Sequence, residues 1–186
     1  MAQALIIRMS VTAVKKNKYK VIKFNEITDI NNNIYEKYTR LTESEIKHKS
    51  HLFHGRYENI YIKEKALPEI EKIIIKIKNE TAQYLNINED ELKIGFWFNA
   101  MHPGDQTSLH CHDDYDEILS GVYYIRVPKN SGNLILKMDD DVEIIPEEGM
   151  AILFSPALDH QVLINESKQV RLSIGFNVAV FDSEEI

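Results

Sequence analysis

The chain has a single cysteine, Cys111, so no intrachain disulfide is available, and such sparse cysteine use fits a reducing compartment. It also has no long apolar run. "MAQALIIRMS" is too short in apolar residues for a signal peptide, and no stretch approaches the ~20 apolar residues of a membrane span. The expectation is a cytoplasmic protein with no membrane partner. A basic stripe is lacking too: the formal charge of −7 argues against nucleic acid as the main partner. Repeats, low-complexity tracts and linkers are missing. What remains is an ordinary balance of 44% hydrophobic and 27% charged residues in 186, enough to bury one core. A single domain over residues 1–186 is expected, as a monomer or homodimer.

The texture changes near residue 93. Residues 1–92 read as supporting helices and short strands. "TDINNNIYEKYTRLTESEIKHK" carries Ile34, Tyr38, Leu41 and Ile46 at roughly helical spacing, with Thr28 or Asp29 as N-cap. "RYENIYIKE" reads as a short strand. A second helix is predicted over 67–84, with Pro68 in its first turn and Leu67, Ile70, Ile74, Ile77 and Tyr84 along one face. His51 and His54 fall in a polar loop and read as ordinary surface histidines.

From residue 93 to 181 short strands follow one another, at 93–101, 107–112, 119–127, 133–138, 142–145, 150–154, 160–164 and 169–181. Turn sequences such as "HPGD", "PKNSGN" and "PEEG" separate them. This spacing predicts a mainly β fold with flanking helices, an α+β jelly roll, rather than a parallel sheet. A small ligand enters such a barrel between its two sheets.

One stretch carries most of the chemistry: "SLHCHDDYDEILSGVYYIRVP", residues 108 to 128. His112 and Asp114 fall on one side of an extended segment, because strand side chains alternate. His160, in "LFSPALDHQVLI", lies 46 positions beyond Asp114. Two imidazoles and a carboxylate leave three positions of an octahedron open, which suits Fe(II). Eleven positions further, Arg171 enters the alternating run "RLSIGFNV". A buried arginine needs an anionic partner, and Ser173 shares its strand face, so the two form a fork for a carboxylate. Taken alone, Arg171 would be read as paired with one of the chain's many acids. Trp97, Phe98 and Phe154 read first as core aromatics and second as pocket lining.

Trp97-Phe98-Asn99, "HCHDD", "SGVYY", "PEEG", "FSP", "HQV" and "RLSIGFN" stand in this order across residues 97 to 177. In that order they resemble the Fe(II)/2-oxoglutarate-dependent oxygenases, and within them the prolyl-hydroxylase-like members. Weaker similarity reaches back through "YIKEKALPEIEKIIIKI". The resemblance implies a double-stranded β-helix with a cupin-like barrel. It implies Fe(II) held by His112, Asp114 and His160, and 2-oxoglutarate bound by Arg171 with Ser173 and Tyr123 assisting. Tyr123 and Tyr124 alternate faces, so only one of them points inward. Counted back from Ser120, the family's pair falls on His112 and Asp114; counted forward from Gly104, it falls on His110 and His112. The first count completes a triad with a carboxylate and is preferred here, leaving His110 beside the metal or on the substrate side. The implied reaction uses dioxygen, releases succinate and CO2 from 2-oxoglutarate, and hydroxylates an unactivated C–H bond of a small-molecule or peptide substrate.

Two other readings compete. Gly104, His110, His112 and Glu117 fit a loose cupin pattern that His160 would complete as a 3-His/1-Glu metal site without 2-oxoglutarate, although this leaves Arg171 unexplained. A metal-free barrel that binds a small ligand would make the histidines incidental. The fold itself names no substrate.

Overall fold

Alternating side chains and frequent turns produce two antiparallel sheets, with helices laid over one of them. The coordinates are a computed structural model describing residues 19–112 and 116–181. The larger sheet joins β1 (Tyr19–Lys23), β9 (Met150–Phe154), β6 (Leu119–Arg126), β11 (Arg171–Val180), β4 (Leu92–Met101), β3 (Arg56–Ile62) and β2 (Ile46–Phe53), in that spatial order. The smaller sheet runs β5 (Thr107–His110), β10 (His160–Val162), β7 (Leu134–Leu136) and β8 (Val142–Ile144). All eight strands predicted beyond residue 93 form, with ends within two or three residues of expectation. The architecture is the expected mainly β double-stranded β-helix.

The strand period divides the large sheet into two faces. On β11, Leu172, Ile174, Phe176 and Val178 are fully buried against the helices, while Arg171, Ser173, Gly175 and Asn177 face the small sheet. Two helices cover the first face: α1 (Thr28–Tyr38) and α2 (Ile70–Leu85). Ile34 of α1 and Ile73 and Ile77 of α2 are almost wholly buried, each stabilising the layer by about 1.5–3 kcal/mol. A second core of Leu134, Leu136, Ile152 and Phe154 fills the space between the sheets.

Helix α1 is shorter than its apolar spacing predicts. It ends at Tyr38, and Ile46 opens β2 instead of continuing the helix. Its N-cap is Ile27, with no side-chain cap from Thr28 or Asp29. Helix α2 starts two residues after Pro68 and ends at Asn86, whose left-handed backbone (φ 54°) closes the last turn. His51 lies on β2, which the sequence reads as loop. No helix among the described residues is long and apolar enough to cross a membrane.

One polar contact ties the helical layer to the sheet. Asn31 of α1, buried, accepts a hydrogen bond from the Tyr123 hydroxyl (2.7 Å) and donates to the Tyr124 carbonyl (3.4 Å). Asn31→Leu strands the Tyr123 hydroxyl, while the Tyr124 carbonyl keeps the Gly149 amide (2.9 Å), and is expected to lower stability by about 1–3 kcal/mol, read as a shift in urea midpoint at unchanged m-value. An unshifted midpoint would mean that the contact contributes nothing.

Candidate metal and anion site

The three histidines come together because β5 and β10 are neighbours. Cross-strand pairing sets His160 opposite His110, and their rings lie 4.3 Å apart. His112 follows two residues after the end of β5. Its amide donates to the Pro156 carbonyl (2.7 Å), and its ring lies 4.9 Å from His110 and 5.2 Å from His160. One potential ligand nitrogen from each of the three falls within 4.8 Å of the others. Nδ1 of His110 is bonded to the Ser108 carbonyl (2.8 Å) and Nδ1 of His160 to the Leu158 carbonyl (2.9 Å). A ring nitrogen facing a carbonyl carries the proton, so Nε2 is the free lone pair in both rings.

Burial keeps the His112 and His160 rings neutral, as a metal ligand must be. Desolvation, with the neighbouring His110, lowers the His112 pKa to about 4 and the His160 pKa to about 3. Both values lie below the unfolded value near 6.5. As pH falls through that value, the unfolded chain takes up protons that the folded chain refuses, so stability falls until the folded values are reached. Metal-free protein should lose on the order of a few kcal/mol between pH 7 and 4 in urea titrations, and less with His160→Asn. A profile unchanged by that substitution would mean that His160 is not held neutral by burial.

Arg171 is the largest side chain that is fully buried, at 1% exposure. It begins β11 opposite Met101 and lines the same inter-sheet chamber as His110, His112 and His160. Its Nη1 donates to the Gly132 carbonyl (2.7 Å) and weakly to the Ser131 carbonyl (3.4 Å), and its guanidinium lies over the Tyr124 ring at 4.9 Å. Among the described residues no carboxylate pairs with it. Burial pulls its pKa down, opposed chiefly by Tyr124, but a guanidinium stays charged in proteins. Arg171 Nε, the Tyr124 hydroxyl and Ser131 Oγ are all buried without a hydrogen-bond partner. Two orphaned hydroxyls beside the guanidinium, together with its own unmet Nε–H, form a receptor for an anion.

The distance between the two centres is set by β11. Arg171, Ser173 and Gly175 line the chamber in turn, and Gly175 pairs with Trp97, whose ring lies 5.6 Å from His112. Four residues of strand separate the levels of Arg171 and Gly175, about 13 Å, which the long arginine side chain shortens. Gly175 is required here, because a Cβ would stand 2.6 Å from the Trp97 ring. The chamber is narrow, ≈60 Å³, and an outer vestibule of ≈540 Å³ shares Trp97, His110 and His112 with it. A slim, extended molecule suits the first; the second takes something larger.

The sequence expectations are met unevenly. His112, His160, Arg171 and Ser173 line one chamber. Asp114 lies outside the described residues. His110, expected beside the metal or on the substrate side, is as close to the other two imidazoles as they are to each other. Tyr123 is a correction: it sits on the helix-facing side, bonded to Asn31 and 5.8 Å from the Phe24 ring, because odd positions of β6 face outward. Tyr124, in the core between the sheets, occupies the inward position that the resemblance implied for Tyr123. Phe98 likewise faces the helical layer, whereas Trp97 and Phe154 line the chamber. Glu117 is not among the clustered donors, so the fourth ligand of the cupin reading is missing from the cluster.

Neither a family model nor a curated protein matches the sequence. Solved structures do match the fold. A prolyl-4-hydroxylase from Pseudomonas putida superposes with a TM-score of 0.64 at 16% identity, over 95% of this chain and 100% of that one. A Trichoplax adhaerens prolyl hydroxylase, in complex with a hypoxia inducible factor oxygen degradation domain peptide fragment, gives 0.66 at 15% identity over 99% and 94%. EvdO2 from Micromonospora carbonacea var. aurantiaca, complexed with 2-oxoglutarate, gives 0.64 at 14% identity over 92% and 90%. The chain thus has the double-stranded β-helix fold of the prolyl-hydroxylase-like 2-oxoglutarate oxygenases, with three histidines and a buried arginine between its sheets.

Proposed function

We propose that this protein is an Fe(II)- and 2-oxoglutarate-dependent oxygenase, a hydroxylase-type oxidoreductase acting on a small-molecule or peptide substrate. One observation carries the reading: Arg171 is buried with no carboxylate partner among the described residues, in the chamber that also holds three imidazoles. A metalloprotein that does not use 2-oxoglutarate has no need of that cation. A buried, unpaired charge is costly to keep unless a ligand anion meets it. Fold likeness to an oxygenase complexed with 2-oxoglutarate supports the same reading.

The donor set fits the metal. His110, His112 and His160 converge and leave coordination positions free for further ligands. When bound, the iron supplies dioxygen activation coupled to oxidative decarboxylation of 2-oxoglutarate to succinate and CO2, with oxidation of a substrate C–H bond. The chain's own contribution is binding and orientation. Arg171 holds the distal carboxylate through a charge-assisted fork. The Tyr124 hydroxyl, orphaned next to it, donates to the same carboxylate, and Ser173 contributes a hydroxyl from the adjacent inward position. Trp97 separates the chamber from the vestibule and keeps water from the inner site. The Ser108 and Leu158 carbonyls hold the imidazoles in the tautomer that presents Nε2.

Anaerobic addition of Fe(II) and 2-oxoglutarate should produce a visible metal-to-ligand charge-transfer band that neither component gives alone. Iron binding with no such band would reject the oxygenase reading and favour a cupin-type metal site.

A further inference from the structure

We infer that the vestibule selects a substrate carrying a cationic nitrogen, an ammonium or guanidinium group, and that Glu117 recognises it. The inference rests on the oxygenase reading only in naming the occupant a substrate. Glu117 stands two residues before β6 and lines the vestibule with His110 and His112. Its carboxylate is held by a short relay. The Ser120 hydroxyl donates to Asn177 Oδ1 (2.8 Å), which fixes the amide so that its Nδ2 donates to Glu117 Oε1 (3.2 Å). The other oxygen, Oε2, is buried and accepts no hydrogen bond. Leaving such an oxygen unmet is unfavourable, and a ligand donor would offset that cost.

The surroundings favour a positive donor over a neutral one. Glu58, the other acid among the described residues that line the vestibule, is neutralised by Arg56 at 3.2 Å. Among the described residues no lysine or arginine lines this space, so Glu117 has no protein cation to meet. Tyr61 and Trp97 add aromatic faces, on which an ammonium or guanidinium rests favourably. The net charge of −7 draws cations toward the molecule in general. A substrate anchored at Glu117 would extend its carbon chain toward the histidines that line the same vestibule.

Trp97 is the only tryptophan in the chain and borders the vestibule, so its fluorescence reports on binding there. The probes are n-butylammonium, n-butylguanidinium, n-butanol and n-butyrate, titrated into the full-length protein. Both cations should give saturable changes, with butanol and butyrate at least about tenfold weaker, the loss of one charge-assisted hydrogen bond. Glu117→Gln should weaken the cations by at least about tenfold while keeping the charge-transfer band given by Fe(II) and 2-oxoglutarate. Glu117→Lys should turn the preference toward butyrate. Equal binding of all four probes, or cation binding unchanged in Glu117→Gln, would overturn the inference. So would loss of the band in that variant, which would make Glu117 a metal ligand. Glu117-dependent cation binding in a protein that gives no band would reject the oxygenase and leave the cation pocket standing. A band with no cation preference would do the reverse.

Discussion

With Arg171 changed to alanine, the protein still binds Fe(II) and loses 2-oxoglutarate by at least about a hundredfold, the value of one buried, charge-assisted contact and more. The carboxylate would then have to enter a dry chamber with only the Tyr124 and Ser173 hydroxyls to receive it. Arg171→Lys keeps the charge without the planar fork and should fall between wild type and alanine. Tyr124→Phe removes one donor and should weaken binding several-fold. Iron affinity, measured separately, should stay unchanged in all three, because none of these side chains is a clustered donor. The charge-transfer band gives the readout, and circular dichroism separates a binding defect from unfolding. A full-strength band in folded Arg171→Ala would end the assignment of that residue.

The second large effect is loss of the metal itself. His160→Ala and His112→Ala should each bring stoichiometric Fe(II) binding to background, since a site with one imidazole missing keeps too few donors to compete with water. His110→Ala should do the same, because His110 completes the cluster of three converging imidazoles. Equilibrium dialysis with Fe(II), or with Co(II) as an air-stable spectroscopic substitute, measures this directly. Iron kept in His110→Ala would take His110 off the metal and favour the two-histidine, one-carboxylate site with Asp114 that the sequence analysis prefers.

Strand positions were legible because each strand is short, alternates, and is bounded by turn residues such as Gly104, Gly132 and Gly149, all at positive φ. The strand β2 was not. "IKHKSHLF" is too polar to signal a strand, and it forms one at the edge of the sheet through backbone pairing with β3. The site was legible in kind, through the separated histidines and the arginine entering an apolar strand. Its details depend on register. That His110 faces His160 follows from a cross-strand pairing fifty positions apart, which no local spacing reveals. Which of Tyr123 and Tyr124 turns inward depends on which face of the large sheet the helices cover, and the two neighbours are equally apolar in sequence. The orphaned Tyr124 hydroxyl shows that choice in three dimensions alone.

Strand β11 holds two messages in one row of letters. Its odd positions, Arg171 through Asn177, run from the anion receptor to the vestibule, and its even positions, Leu172 through Val178, are buried under the helices. Deleting or inserting one residue inside it would exchange the two sets, driving the guanidinium into the oily layer and a leucine toward the anion. The strand therefore cannot change in length without losing both messages at once. Variation in reach or substrate size has to come from elsewhere, such as the β2–β3 hairpin at the rim, where pairing with the rest of the sheet is sparse and Leu52 is already 61% exposed.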